Sequence, residues 1–148
     1  MRRKVHDFSH RRRAQRPAHW RTWEGDRDLG DVIRHQVQPD EGVVLECVTI
    51  LLSNLLYDAS VGASPVPLDF SALDVVLQQQ VDDLIAACQQ SVAPVYIVTN
   101  ELDMSITPEN RLACHFVDIV GRTNQRLAQT AQEVWLVVSG IEVKIKCR

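Results

Sequence analysis

An α/β fold, a parallel sheet flanked by helices, is what three observations predict. Short β-branched runs without polar alternation recur along the chain, and amphipathic helical segments separate them. The third observation is size: 148 residues, 45% of them apolar, are enough for the core of one ordinary domain. A strand that alternates with helices calls for crossover connections, and these favour parallel pairing.

Taken in order, Gly42-Val-Val-Leu-Glu46 and Pro94-Val-Tyr-Ile-Val-Thr99 read as strands covered on both faces, and Val134-Trp-Leu-Val-Val138 as a third. Between the first two, Leu73, Val76, Leu77, Val81, Leu84, Ile85 and Cys88 recur at spacings of three and four, which predicts a helix opened by a Ser71-x-x-Asp74 cap. A second helix should begin at Pro108, with Thr107 as its cap and a buried stripe through Leu112, Phe116, Ile119, Thr123 and Leu127. Residues 58 to 70, rich in Ala, Ser, Gly and Pro, read as a loop. After Gly140, Ile141, Val143 and Ile145 alternate with Glu142, Lys144 and Lys146, the pattern of a half-solvated edge strand guarded by lysines.

Charge divides the chain. Residues 1 to 21 hold eight basic side chains against Asp7 and carry +7, while the remaining eight basic and eighteen acidic residues leave −10 on residues 22 to 148. The domain is therefore read as one unit over 1 to 148, with a basic segment at 1 to 25 and a strand and helix core at 42 to 148. The acidic remainder argues against a broad nucleic-acid surface. No apolar run of about 18 residues is present for a membrane span, and Arg2-Arg3-Lys4 directly after Met1 leaves no secretory apolar core, so a cytoplasmic setting is expected. Cys47, Cys88, Cys114 and Cys147 form no CxxC pair and read as small buried hydrophobes; no metal site is expected from them.

Parallel sheets bind ligands beyond the carboxyl ends of their strands, which directs attention to Glu46 through Asn54 and to Thr99 through Thr107. Glu46, at a strand end, suits a metal ion or a base, or is an ordinary strand-end acid. Asn100 and Glu101 could hydrogen-bond a ligand or shape the turn. His10 beside Arg11, Arg12 and Arg13 suits phosphoryl or nucleotidyl transfer, because imidazole can attack phosphorus while arginines neutralise the phosphate oxygens; a solvated histidine in a basic segment is the bland alternative. The sequence contains neither GxxxxGK[ST] nor GxGxxG.

Arg16-Pro-Ala-His-Trp-Arg-Thr22, Leu45-Glu-Cys-Val-Thr49 with Asn54-Leu-Leu56, Val98-Thr-Asn-Glu101 with Pro108-Glu-Asn-Arg-Leu-Ala113, Gly121-Arg-Thr-Asn-Gln-Arg-Leu-Ala128 and Glu133-Val-Trp-Leu-Val-Val-Ser-Gly-Ile141 together resemble the bifunctional adenosylcobinamide kinase/adenosylcobinamide-phosphate guanylyltransferase family. The resemblance implies a P-loop NTPase-like core, truncated at its N-terminus because the likeness starts after the family's phosphate loop. It implies work in cobalamin synthesis: GMP taken from GTP onto a histidine and passed to adenosylcobinamide phosphate, with the ATP- or GTP-dependent kinase step on adenosylcobinamide lost. It further implies Mg2+ with the nucleotide and a homo-oligomer, a trimer in the family. Carried over by position, Glu24 and Glu46 are nucleotide contacts, His10 is the nucleophile with His6 the weaker candidate, and Arg11, Arg12, Arg13 and Arg16 contact the nucleotide. Asp103 and Ser105 stand where the family has glycines, and Cys114 and Val117 where it has arginines. A truncated, non-catalytic member or assembly subunit is the competing expectation.

Overall fold

The computed structural model describes residues 16–25, 27–62, 69–102, 104 and 108–147. The expectations for His6, His10, Arg11, Arg12, Arg13, Asp103, Ser105 and Thr107 fall outside those residues. The described elements are α1 (Leu29–Gln36), β1 (Val43–Glu46), α2 (Val48–Gly62), α3 (Phe70–Gln90), β2 (Val95–Val98), α4 (Arg111–Thr130), β3 (Val134–Val138) and β4 (Ile141–Lys146).

β1 and β2 pair in parallel, Val43 opposite Val95 and Glu46 opposite Val98, so both strands end at one edge of the molecule. Their alternate residues Leu45, Val95 and Ile97 pack on a core built from helices. α2 supplies Val48, Leu51, Leu52, Leu55 and Leu56, at helical spacings of three and four, and α3 supplies Leu73, Leu77, Val81, Leu84 and Ala87. Ile119, Val120, Thr123 and Leu127 of α4 and Ile33 of α1 complete it.

Several expectations are corrected. The strands are not covered on both faces: Val44, Tyr96 and Val98 are exposed, because the described helices pack on one side only. Residues 58 to 62 continue α2 rather than opening a loop, since the spacing of Leu51, Leu52, Leu55 and Leu56 buries one helical stripe and carries the backbone on. α3 starts at Phe70 and is capped by Asp69, whose Oδ1 accepts from Ser71 N (3.0 Å) and Ala72 N (3.2 Å); Asp74 turns instead toward α4. α4 starts at Arg111, where Asn110 Oδ1 accepts from Leu112 N (2.8 Å) and Ala113 N (3.4 Å), three residues beyond the expected start at Pro108. Within the α3 stripe Val76 faces solvent.

β3 is no member of the parallel sheet. It pairs antiparallel with β4, joined through Ser139 and Gly140, both at positive φ (54° and 80°), as in a type I′ turn that matches strand twist. Ile141, Val143 and Ile145 are exposed, so β4 is solvated on both faces rather than on one. The hairpin is held to α4 by Lys146, whose Nζ donates to the carbonyls of Ala128 (2.8 Å), Gln129 (2.9 Å) and Ala131 (2.8 Å) and thereby meets the otherwise unpaired end of that helix. Cys147 is exposed and the other three thiols are half-buried; of these Cys88 packs against the core, so the expectation of buried cysteines fails outright only at Cys147.

α3 and α4 are bound by a polar ladder along their shared flank. Asp74 receives Arg122 (3.0 Å) and lies 3.2 Å from His115 Nε2, and Arg126 reaches both Gln78 and Asp82. α1 lies against α3 so closely that a Cβ on Gly30 would stand 3.0 Å from the Asp83 carbonyl oxygen and displace the Asp83 side chain, which pairs with Arg34 at 2.5 Å. Among the described residues no helix is long and apolar enough to cross a membrane.

Candidate functional site

β1 and β2 deliver Glu46 and Thr99-Asn100 to the same end of the sheet, because their parallel register sets Glu46 opposite Val98. α2 begins immediately after Cys47 and buries Thr49 within its first turn. Thr99 and Asn100 emerge where β2 stops, and Asn124 reaches the same place from the middle of α4. The peptide bond between Glu46 and Cys47 is cis.

The described part of the basic segment comes to this edge. Arg16 donates to Thr22 Oγ1 (3.2 Å) and lies 3.5 Å from Glu46 Oε2. Both side chains remain partly exposed, at 29% and 36%, so the guanidinium and the carboxylate face solvent together. Farther along, Arg21 grips Glu41 through two contacts of 3.0 and 2.6 Å and donates to the Gln36 carbonyl (2.7 Å) at the end of α1. The Gln38 N–H first, and Arg21 second, hold the Glu41 carboxyl below its ordinary range. Arg27 pairs with Asp58 of α2 (2.6 Å), and Asp28 exchanges hydrogen bonds with Gln80 of α3 (3.1 and 3.3 Å). Three ties thus hold Arg21 at the end of α1, Arg27 on α2 and Asp28 on α3, while Arg16 stays at the strand ends.

Of the residues expected from sequence, Arg16 and Glu46 meet. Glu24 is exposed in the stretch leading to α1, and His10, Arg11, Arg12 and Arg13 lie outside the described residues. Cys114, where the resembled family has an arginine, uses its S–H to donate to the Pro108 carbonyl (2.9 Å). Arg122 and Arg126, both inside the Gly121 to Ala128 motif, are occupied on α3 rather than turned to a ligand. Three residues at the site were not singled out beforehand: Thr49, Thr99 and Asn124. Each lies in a quoted motif, but only the fold brings residues 49, 99 and 124 within hydrogen-bonding reach. Among the described residues no group of three or more His, Cys, Asp or Glu side chains is placed to hold a metal ion.

Chemically, the described residues of this edge set the Arg16–Glu46 pair beside a ring of neutral hydrogen-bonding groups. The family model for cobinamide kinase / cobinamide phosphate guanyltransferase matches residues 1–145. The chain belongs to this family. Its parallel β1–β2 sheet with flanking helices agrees with that membership. Among relatives in the cobinamide kinase / cobinamide phosphate guanyltransferase family, the bifunctional adenosylcobalamin biosynthesis protein CobU of Salmonella typhimurium is 52% identical over 131 residues, 88% of this chain and 72% of the relative. The protein of the same name from Escherichia coli is 51% identical over 134 residues, 90% of this chain and 74% of its own length. The more distant CobP of Pseudomonas aeruginosa, also a bifunctional adenosylcobalamin biosynthesis protein, is 27% identical over 134 residues, 90% of this chain and 70% of the relative.

Proposed function

We propose that the chain transfers GMP from GTP to adenosylcobinamide phosphate through a histidine. In this reading the imidazole of His10 attacks the α-phosphorus, forming a P–N bond as the α–β P–O bond breaks and pyrophosphate leaves. A phosphate oxygen of adenosylcobinamide phosphate then attacks the same phosphorus, the P–N bond breaks, and the histidine is regenerated with adenosylcobinamide-GDP as product. Arg11, Arg12, Arg13 and Arg16 meet the phosphate charge as it builds, and Glu24 and Glu46 contact the nucleotide.

The observation that carries the reading is the 3.5 Å approach of Arg16 to Glu46 at the carboxyl end of β1. It brings Arg16 to the edge where parallel α/β sheets bind nucleotides. With Glu46 the single acid of the described residues in that pair, Mg2+ fits as an ion that arrives on the triphosphate, since Mg2+ favours phosphate oxygens and one or two carboxylates over an all-protein cage.

The test is incubation of the 148-residue chain with GTP labelled at the α-phosphorus. We expect an acid-labile, alkali-stable label on the wild type, none on His10→Ala, and retention on His6→Ala. Arg16→Ala should slow labelling by about tenfold, the loss of one charge-assisted contact. A wild type that takes up no label, or a His10→Ala chain that labels normally, defeats the assignment. Because the chain contains no GxxxxGK[ST], the same preparation is not expected to phosphorylate adenosylcobinamide. A second reading, a non-catalytic subunit that assembles with further copies, draws on the exposed apolar residues Val44, Tyr96 and Val98 of the β1–β2 face.

A further inference from the structure

A closed ring of hydrogen bonds crosses the carboxyl ends of β1 and β2. The Asn100 backbone N–H lies 3.1 Å from Thr49 Oγ1, and Asn100 Nδ2 lies 3.2 Å from the same oxygen. The Thr49 and Thr99 hydroxyls are 3.4 Å apart, Thr99 Oγ1 is 2.7 Å from Asn124 Oδ1, and Asn124 Nδ2 is 3.0 Å from the Asn100 carbonyl oxygen.

Backbone chemistry sets the sense of every bond in this ring. A carbonyl can only accept, so Asn124 must turn its amide nitrogen toward Asn100 and its oxygen toward Thr99. Thr99 has one proton and spends it on that oxygen, so it accepts from Thr49. Thr49 has then spent its own proton and can only accept from Asn100, both from the backbone N–H and from the side chain. The end of the Asn100 amide that faces Thr49 is therefore the nitrogen, which also lies 3.9 Å from Cys47 Sγ. Reversing either amide sets like groups against each other. The consequence is that Asn100 Oδ1 points away from the ring. Asn100 is exposed, and this oxygen has no hydrogen-bond partner among the described residues.

We propose that Asn100 is a specificity-determining residue of the nucleotide site, its Oδ1 accepting a hydrogen bond from an N–H or O–H of the nucleoside, with Thr49, Thr99 and Asn124 as positioning residues. The proposal rests on the GTP reading above. A carbonyl oxygen repels phosphate, so the Asn100 side of this strand edge takes the base or ribose, while the arginines take the phosphates. Four donor groups are available on the nucleoside of GTP: the 2-amino group, N1–H and the 2′ and 3′ hydroxyls.

Equilibrium titration of the wild-type chain with GTP, inosine triphosphate, 1-methyl-GTP, 2′-deoxy-GTP and 3′-deoxy-GTP removes each donor in turn. One analogue should bind the wild type about tenfold more weakly than GTP. Asn100→Ala should lose about tenfold on GTP but lose nothing further on that analogue. Thr49→Val and Asn124→Asp should reproduce the selective loss, and Thr49→Ser, which keeps the hydroxyl, should bind within about twofold of wild type. Equal losses on all five nucleotides would mark a structural effect and overturn the proposal, as would an Asn100→Ala chain that binds GTP as wild type does. The analogue series on the wild type needs no variant to fold, and four unweakened analogues also overturn it. A wild type that binds no GTP defeats the function reading itself, a result distinct from binding that ignores Asn100.

Discussion

Thr123 shows how a single atom can stand against its surroundings. Its side chain is fully buried on the same helix stripe as Ile119, Val120 and Leu127, yet among the described residues Oγ1 has no hydrogen-bond partner. A buried hydroxyl without a partner loses its hydration and gains nothing in return, at a cost of about 1 to 3 kcal/mol. Thr123→Val keeps the shape and removes the hydroxyl, so we expect the variant to gain about 1 kcal/mol, read as a higher urea midpoint with an unchanged slope. Periodicity placed Thr123 on the buried stripe of its helix, but nothing in a periodic pattern tells whether a hydroxyl finds an acceptor. The same limit applied to Asp74. A Ser-x-x-Asp spacing promised a cap, and Asp69 took that role because it sits one residue before the helix actually starts. Asp74, one turn inside, was left to bind Arg122.

At the scale of elements, the β3–β4 hairpin depends on a few polar contacts because its apolar residues are mostly exposed. Glu133 accepts from Lys144 Nζ (2.7 Å) and from Trp135 Nε1 (3.2 Å), and those two contacts, Lys144 first, hold its carboxyl below the ordinary value of 4.5. The folded value is the lower one, so the stabilisation is present above pH 4.5 and is lost as pH falls through the folded value. We expect the Trp135 indole N–H resonance to shift on acidification below pH 4.5, and the hairpin to loosen with it, whereas Glu133→Gln should show neither change in that window. The tight turn was readable from Gly140, since positive φ at that place calls for glycine. The partner of β3 was not: a run of Val, Trp and Leu suits a buried parallel strand and a ribbon edge alike, and only β4 arriving alongside decided between them.

For the whole molecule, the charge split takes on a structural meaning. The described part of the basic segment does not stand apart from the acidic remainder, since Arg16 meets Glu46 and Arg21 meets Glu41. The other global feature is the face of β1–β2 turned from the helices, where Tyr96 is 63% exposed beside Val44 and Val98. An apolar sheet face in water favours association, so we expect sedimentation of the wild type to show concentration-dependent self-association and Tyr96→Glu to suppress it. The strand runs at Val43–Glu46, Val95–Val98 and Val134–Val138 and most of the buried stripes of α3 and α4 followed from the sequence by itself, because periodicity and β-branching act locally, whereas α1 and α2 were not read from it. The family followed too, through motifs spread along the chain. Tertiary structure alone decided the exposed sheet face, the separate hairpin and the ring of Thr49, Thr99, Asn100 and Asn124. The physical reason is distance along the chain: a hydrogen bond between residues 49 and 100, or 99 and 124, exists only once β1, β2 and α4 are packed together.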